Sequence, residues 1–269
     1  MSEPDGQRKS EEAEFHDRLR SLYETDPEQY AHYTSNKKFY AIVRASNAFF
    51  MEWLKRNATG KRVLDFGCGS GTISVEVAGF ASHVTGIDIS SESVKLSQDR
   101  AAAAGLTPKT TFVVMDAENL QFPAGSFDVV CVAGVLHHMD VRVALGQIRK
   151  VLTPDGKAIF LEALADNPVI HAYRRRTPHL RTAWETEHIL HASDARLMRD
   201  FFKDVDVRYF HLASLAAVPL RSTRAFGPVR SVLDAVDSAI LRVPGLQRMA
   251  WMACFLLEDP IPERGTVPA

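Results

Sequence analysis

The sequence predicts an α/β fold built on a parallel sheet covered on both faces. From Lys61 onward, short runs rich in β-branched and aromatic residues alternate with helical patterns, as βαβ units require. The runs are apolar almost without interruption, which fits strands buried on both sides. The first of them passes straight into glycines and then a helix, in "VLDFGCGSGTISVEVA" (63–78), so one loop at the strand ends stands out as a ligand-binding turn.

Residues 1–12 carry charge, Gly and Pro with little to bury, and are expected to be disordered. Residues 13–58 read as an N-terminal helical lid. Phe15, Leu19 and Leu22 share one helical face, Phe39, Val43, Phe50, Trp53 and Leu54 recur at helical spacing, and Ser35 is placed to cap. The main domain spans 59–269. Its strand candidates are "RVLDFG" (62–67), "HVTGIDI" (83–89), "TTFVVMD" (110–116), "FDVVCVAG" (127–134) and "KAIFLEAL" (157–164). Residues 165–192 hold no strand candidate and form a first inserted cover segment. "SDARLMRDFF" (193–202) reads as a helix capped by Ser193, "VDVRYFHL" (205–212) as a sixth strand and "MACFLLE" (252–258) as a seventh. Between the last two lies a second cover segment, 213–250, where Val229, Val232, Leu233, Val236, Ile240 and Val243 form an apolar helical stripe.

Composition excludes several classes. A chain of 269 residues with 46% hydrophobic content can bury one full α/β domain with extra elements. With 32 Lys+Arg against 33 Asp+Glu it lacks the basic excess of a general nucleic-acid binder. Cys68, Cys131 and Cys254 are far apart and form no C-x-x-C pair, which argues against a disulfide framework or a zinc site. The polar, acidic N-terminus is unlike a signal peptide, and no apolar run reaches the length of a membrane-spanning helix, so the cytoplasm is the expected compartment.

Gly67, Gly69 and Gly71 permit a tight turn and close approach of backbone amides to a ligand, although an ordinary strand–helix turn can carry the same glycines. Three later features favour a ligand. Asp88 ends the second strand about twenty residues beyond the loop, where an acid can accept both hydroxyls of a ribose. Asp116 and Ala117 end the third strand and offer a carboxylate beside a backbone amide, a pair that can read an adenine edge. "FDVVCVAGVLHHMD" then lays a loop over the strand tips, where open α/β sheets bind ligands. A dinucleotide fingerprint requires Gly or Ala at position 72, which is Thr72 here. Asp65, just before the loop, repels a phosphate and attracts an ammonium group. The ligand these residues favour is an adenosine with a cationic amino-acid tail.

In these segments the chain resembles the class I S-adenosylmethionine-dependent methyltransferases of the small-molecule type. "LDFGCGSG", "GIDIS", "MDAENL", "FDVVCVAGVLHHM" and "VLTPDGKAIFLEA" match that family's successive motifs in order and spacing. The resemblance implies a Rossmann-like seven-stranded sheet, mostly parallel with an antiparallel last strand, helices on both faces, and S-adenosylmethionine as cofactor. It implies that Asp65 and Gly67 hold the methionine amino group and that Gly69 and Gly71 let the backbone pass close by. Asp88 would bind the ribose, Ile89 would pack on the adenine, Asp116 and Ala117 would read its edge, and Ala133 would approach the sulfonium. In the family an N-terminal helix often closes over the cofactor, which makes Tyr33 and Tyr40 lid candidates, although Tyr40 suits a core position equally. The family joins its sixth and seventh strands by a short hairpin; the 213–250 segment departs from that.

The reaction so implied is transfer of a methyl group from S-adenosylmethionine to a small, apolar acceptor. O-methylation is the first choice, and N- or C-methylation stays open. A hydroxyl acceptor needs a general base, and His137 and His138 sit where one would reach; either can instead cap or orient its loop. Arg174, Arg175, Arg176 and Arg181 can hold an acidic group on the acceptor, or pair with Asp166, Glu185 and Glu187. Consecutive arginines cannot all point one way on a helix, so only one or two should face a ligand. His171, His179, His188 and His191 lack the spacing of a compact metal site, and no metal is expected. The 213–250 segment, with Arg221, Arg224, Arg230, Arg242 and Arg248, suits core packing, a roof over the acceptor, an anionic membrane or a homodimer contact. The rival readings are an NAD-dependent oxidoreductase, disfavoured by Thr72 and Asp65, and a non-catalytic S-adenosylmethionine-binding protein, which predicts binding without turnover.

Overall fold

Consecutive residues of a strand point to opposite faces of a sheet, and the buried strands here use both. Leu64, Val130 and Phe160 enter one apolar cluster, while their neighbours Val63, Val129 and Ile159 enter a second. These residues belong to β1 (Arg62–Phe66), β4 (Phe127–Ala133) and β5 (Leu152–Ala163), the centre of a seven-stranded sheet completed by β2 (His83–Asp88), β3 (Thr110–Val114), β6 (Phe202–Phe210) and β7 (Met252–Pro260). The computed structural model describes residues 3–262 except 181, 183 and 185–187.

The strand order is β3-β2-β1-β4-β5-β7-β6. β1 through β5 are parallel to one another, and β7 runs antiparallel to both β5 and β6. The chain steps outward from β1 to β3 and returns to β4 on the other side of β1. That reversal opens a crevice at the carboxyl ends of β1 and β4. Because Ala163 faces Met252 and Met252 faces Phe210, the connection from β6 to β7 leaves from the same end of the sheet.

Helices cover both faces. α3 (Arg44–Ala58) and α4 (Thr72–Ala78) pack on one, through Phe50, Leu54 and Val77. α6 (Val141–Val151) packs on the other through Leu145 and Ile148. α5 (Ser91–Ala103) lies beside β2 and β3 and is capped by the Ser90 hydroxyl, which accepts from the Ser93 amide at 3.0 Å. The 193–202 region is not one helix: Ser193 lies in a 3-10 turn, α8 (Ala195–Met198) is a single turn, and β6 begins at Phe202.

The N-terminal expectation is corrected. α1 (Glu3–Thr25) runs through most of the stretch expected to be disordered. Composition offered no apolar face to bury, but the helix is held by charge. Lys9 Nζ lies 2.9 Å from Asp116 and 2.8 Å from Glu118, and Arg8 pairs with Glu118 as well. α2 (Pro27–Tyr33) and a 3-10 segment, Ser35–Ile42, lead on to α3; Thr34, not Ser35, precedes that segment. Of the 13–58 region, α3 belongs to the core rather than to a lid, since Phe50 and Leu54 pack in the same cluster as Val63 and Ile159.

The segment after β6 folds as a 3-10 helix (Ala213–Leu220), α9 (Phe226–Ile240) and a 3-10 turn (Leu246–Met249). Asp237 of α9 caps the first of these: its carboxylate accepts from the amides of Ala213 at 2.6 Å and Ser214 at 3.1 Å. His211 is buried beside it in the left-handed region (φ 66°), with Nε2 2.9 Å from Ser46 Oγ and Nδ1 3.2 Å from Ser214 Oγ. Burial lowers its pKa to about 4, against the opposing pull of Asp237. The unfolded chain therefore binds this proton at a higher pH than the folded one, so the fold loses stability as pH falls from about 6.5 towards 4. A loss of about 2 kcal/mol between pH 6.5 and 5 is expected from this group alone. Urea unfolding of the wild type and of His211→Asn, which tolerates the same φ, should show a shallower pH dependence in the variant.

Candidate active site

The glycine loop is shaped by what lies behind it. Gly67, Gly69 and Gly71 all have left-handed φ (78°, 53° and 72°). A Cβ on Gly67 would fall 2.6 Å from the Val135 side chain, and one on Gly71 would fall 2.9 Å from the Ser97 backbone. The amides of Gly67 and Cys68 both donate to Ile87 O, at 2.9 and 2.8 Å, which ties the loop to β2. The Asp88 carboxylate bridges the two strand ends, with Oδ2 accepting from the Gly69 amide and Oδ1 from the Ser90 amide, each at 2.9 Å. Burial raises the Asp88 pKa above the ordinary carboxylate value, and these two amides oppose that shift.

Above the loop is a cavity of about 260 Å³. Gly67, Gly69, Asp88, Ile89, Asp116, Ala117, Ala133 and His138 all line it, so the structure gathers most of the predicted cofactor residues around one space. Its roof is α1, which contributes Arg8, Lys9, Glu12, His16 and Arg20. Two predicted residues lie beneath rather than in it. Asp65 is 2% exposed and does not line the cavity; its Oδ2 accepts from Ser74 Oγ at 2.5 Å. Burial raises its pKa to about 6, because a carboxylate under the loop is out of reach of water. Gly71 likewise packs against α5 and not against the cavity.

A second cavity, of about 410 Å³, opens on the other side of Ala133 and Gly134, which line both. Its walls include Phe50, Met51, Ile73, Leu161 and Met252, with Tyr40, Asn47, Glu76 and His137 as polar groups. A small annex of about 50 Å³ adjoins His137, lined by Phe39, Tyr40, Tyr173, Trp251 and Arg174 among others. Tyr40 is therefore corrected from cofactor lid to this side: it is 50% exposed and meets Trp251 edge-on at 5.6 Å. Tyr33 lines neither space; its hydroxyl accepts from Arg18 at 3.3 Å.

The paired histidines separate. They sit in a 3-10 turn, Leu136–His138, directly after β4. His138 faces the first cavity, with Nδ1 2.9 Å from Glu12 of α1. His137 faces the second, with Nδ1 3.0 Å from Glu162 Oε2. Glu162 is fully buried on β5, and its other oxygen accepts from the amides of Val135 and Leu136 at 2.8 and 2.9 Å. One carboxylate thus fixes both the turn and the ring. A donor at Nδ1 leaves Nε2 as the proton acceptor of the neutral imidazole.

The arginine stretch also divides. Residues 174–176 end α7 (Pro168–Arg176), and only Arg174 turns inward, donating from Nη1 to Leu164 O at 2.8 Å. Arg175 and Arg176 are exposed and line neither cavity, as a helix rotating 100° per residue dictates. Arg181, Glu185 and Glu187 lie outside the described residues.

Residues 64–160, from β1 to β5, match the family described as a methyltransferase domain. That part of the chain is a methyltransferase domain of the class I S-adenosylmethionine-dependent type. Among curated proteins, the chain is 40% identical over 100 residues to 27-O-demethylrifamycin SV methyltransferase of Amycolatopsis mediterranei, covering 36% of the chain and 37% of the relative. It is 33% identical over 113 residues to O-methyltransferase cnsE of Penicillium expansum, covering 41% of each. The matched part thus spans less than half the length of either relative. In fold, the chain is similar to the Haemonchus contortus phosphoethanolamine N-methyltransferase 2 solved with S-adenosyl-L-methionine, at TM-score 0.59 and 18% identity over 90% of this chain and 60% of that one.

The candidate site contains residues that sequence reasoning missed. Arg8, Lys9 and Glu12 come from the stretch expected to be disordered, and His16 and Arg20 from the helical stretch after it, whose apolar face of Phe15, Leu19 and Leu22 did not mark them as site residues. Glu162 did carry a signal, as the lone acid in the apolar run "AIFLEAL", and its burial explains why an acid stands there.

Proposed function

We propose that the chain transfers the methyl group of S-adenosylmethionine to a hydroxyl group of a small, apolar acceptor. The observation that supports it best is the meeting of two cavities at Ala133 and Gly134, with His137 lining the second and braced by Glu162. The first cavity fits the cofactor chemically. Asp88 is an acceptor-only group suited to a diol, Ile89 and Met115 offer apolar faces to a base, and Asp116 with Ala117 offers an acceptor and an amide to its edge. Gly67 and Gly69 leave room for the amino-acid end, and Asp65 and Gly71 support the loop from below.

S-adenosylmethionine, when bound, supplies an electrophilic methyl carbon on a cationic sulfur that departs as a neutral thioether. What remains for the protein is to align an acceptor and take its proton. In this reading Nε2 of His137 takes the hydroxyl proton, and Glu162 is the positioning residue that holds Nδ1–H and steadies the imidazolium. His138 belongs to the lid through Glu12. The mostly apolar lining of the second cavity selects an apolar acceptor, and Arg174, which lines the annex beside it, is our candidate to meet an acidic group on it. A hydroxyl acceptor also agrees with the two curated relatives, both named for O-methylation chemistry. We place the protein in the cytoplasm, a compartment that suits three buried free cysteines.

The test is a screen of apolar phenols, alcohols and amines with S-adenosylmethionine, reading S-adenosylhomocysteine release and product mass. Methylated phenol or alcohol is the expected product. Methylated amine only, or tight cofactor binding with no turnover on any pool, would replace this reading with N-methylation or with a non-catalytic binding role.

A further inference from the structure

Among the described residues, ten large hydrophobic side chains are exposed, and five of them, Val232, Val236, Val243, Leu246 and Met249, fall in the single stretch 232–249. Scattered exposed apolar residues need no explanation, but such a concentration does. α9 is apolar on two adjoining stripes. Phe226, Val229 and Leu233 pack against the core, whereas Val232, Val236 and Ala239 follow one another at steps of three or four residues and face outward, and Val243 is exposed in the turn that follows. Val232 is 64% exposed.

The charges around this stripe have one sign. Between 213 and 250 the only acids are Asp234 and Asp237, and both are used internally: Asp237 caps the preceding 3-10 helix, and Asp234 lies 3.8 Å from Arg230. Arg221, Arg224, Arg242 and Arg248 are exposed. An apolar strip edged by arginines complements a surface that is greasy inside and negative outside. A two-fold contact with a second copy would instead bring the same arginines against one another. No helix among the described residues is long and apolar enough to cross a membrane, so any lipid contact made by the helices is one of lying on the surface.

We infer that α9 and the turn after it dock on an anionic phospholipid bilayer. The 3-10 helix 213–220, which carries α9, packs against Ser35–Ile42, the segment that supplies Phe39 and Tyr40 to the acceptor-side spaces. Docking therefore brings the bilayer beside the elements that line those spaces, where an apolar acceptor dissolved in lipid is at hand. The docking itself does not depend on the methyl-transfer reading.

The test is co-sedimentation of the full chain, without cofactor or acceptor, with vesicles of phosphatidylglycerol and phosphatidylcholine or of phosphatidylcholine alone. The protein should partition to the anionic vesicles, and less so at high salt. Arg242→Gln and Arg248→Gln should each weaken partitioning about fivefold. Val232→Asp combined with Val236→Asp should abolish it while circular dichroism stays unchanged, because both side chains are exposed. Wild-type protein left in the supernatant, or partitioning indifferent to the two aspartates, overturns the inference. So does a wild-type dimer that these aspartates convert to monomer, which makes the face a self-interface.

Discussion

Asp88→Ala is expected to weaken S-adenosylhomocysteine binding about a hundredfold, the cost of losing two hydrogen bonds to a charged acceptor. The side chain also holds the Gly69 and Ser90 amides, so the loss has two sources: the acceptor itself and the shape of the loop it braces. Asp88→Asn, which keeps one acceptor oxygen, separates them and should fall between wild type and Ala. Because burial raises the Asp88 pKa, affinity should also decline on acidification at a higher pH than an exposed aspartate would impose. Isothermal titration across pH reads all three. An unchanged affinity in Asp88→Ala removes this residue from the cofactor site.

His137→Ala should lower kcat by about two to four orders of magnitude, the usual contribution of a positioned general base. S-adenosylhomocysteine affinity should stay within about twofold of wild type, because His137 lines the second cavity and not the first. Glu162→Gln should act through the ring: kcat falls, while the acceptor KM changes little. Full activity in His137→Ala would return the histidine to a loop-orienting role, and loss of activity only in His138→Ala would move the base to the lid side.

The sheet was legible because its strands are buried on both sides, so continuous apolar runs such as "VLDF" and "VVCVA" admit few other readings. The glycine loop and the acids at the ends of β2 and β3 were legible because turn geometry and strand position fix where they stand. Three things were not legible, each for a physical reason. α1 is anchored by ion pairs to Asp116 and Glu118, more than a hundred residues away, and no local pattern announces a long-range charge contact. Asp65 reads as a ligand group by position, yet the hydroxyl of Ser74, in the first turn of α4, donates to it from below the loop. The adjacent histidines look equivalent in sequence, but successive residues of a tight helical turn point in different directions, and only the structure assigns one to each cavity. The arginine run is the same problem, and α7 turns Arg174 inward while Arg175 and Arg176 meet solvent.

The place of β7 in the sheet has a consequence for how such a chain can change over evolution. β7 is wedged antiparallel between β5 and β6, so the β6–β7 connection emerges beside the acceptor spaces, at the edge farthest from β1, β2 and β3. That connection can grow, shrink or change character without moving the register of any strand that carries Asp88, Asp116 or the glycine loop. The half of the sheet that carries the glycine loop is thereby insulated from changes made around the second cavity, and, on the function proposed above, a lineage built on this plan can acquire new acceptors, or a new place to meet them, while its methyl-donor chemistry stays fixed.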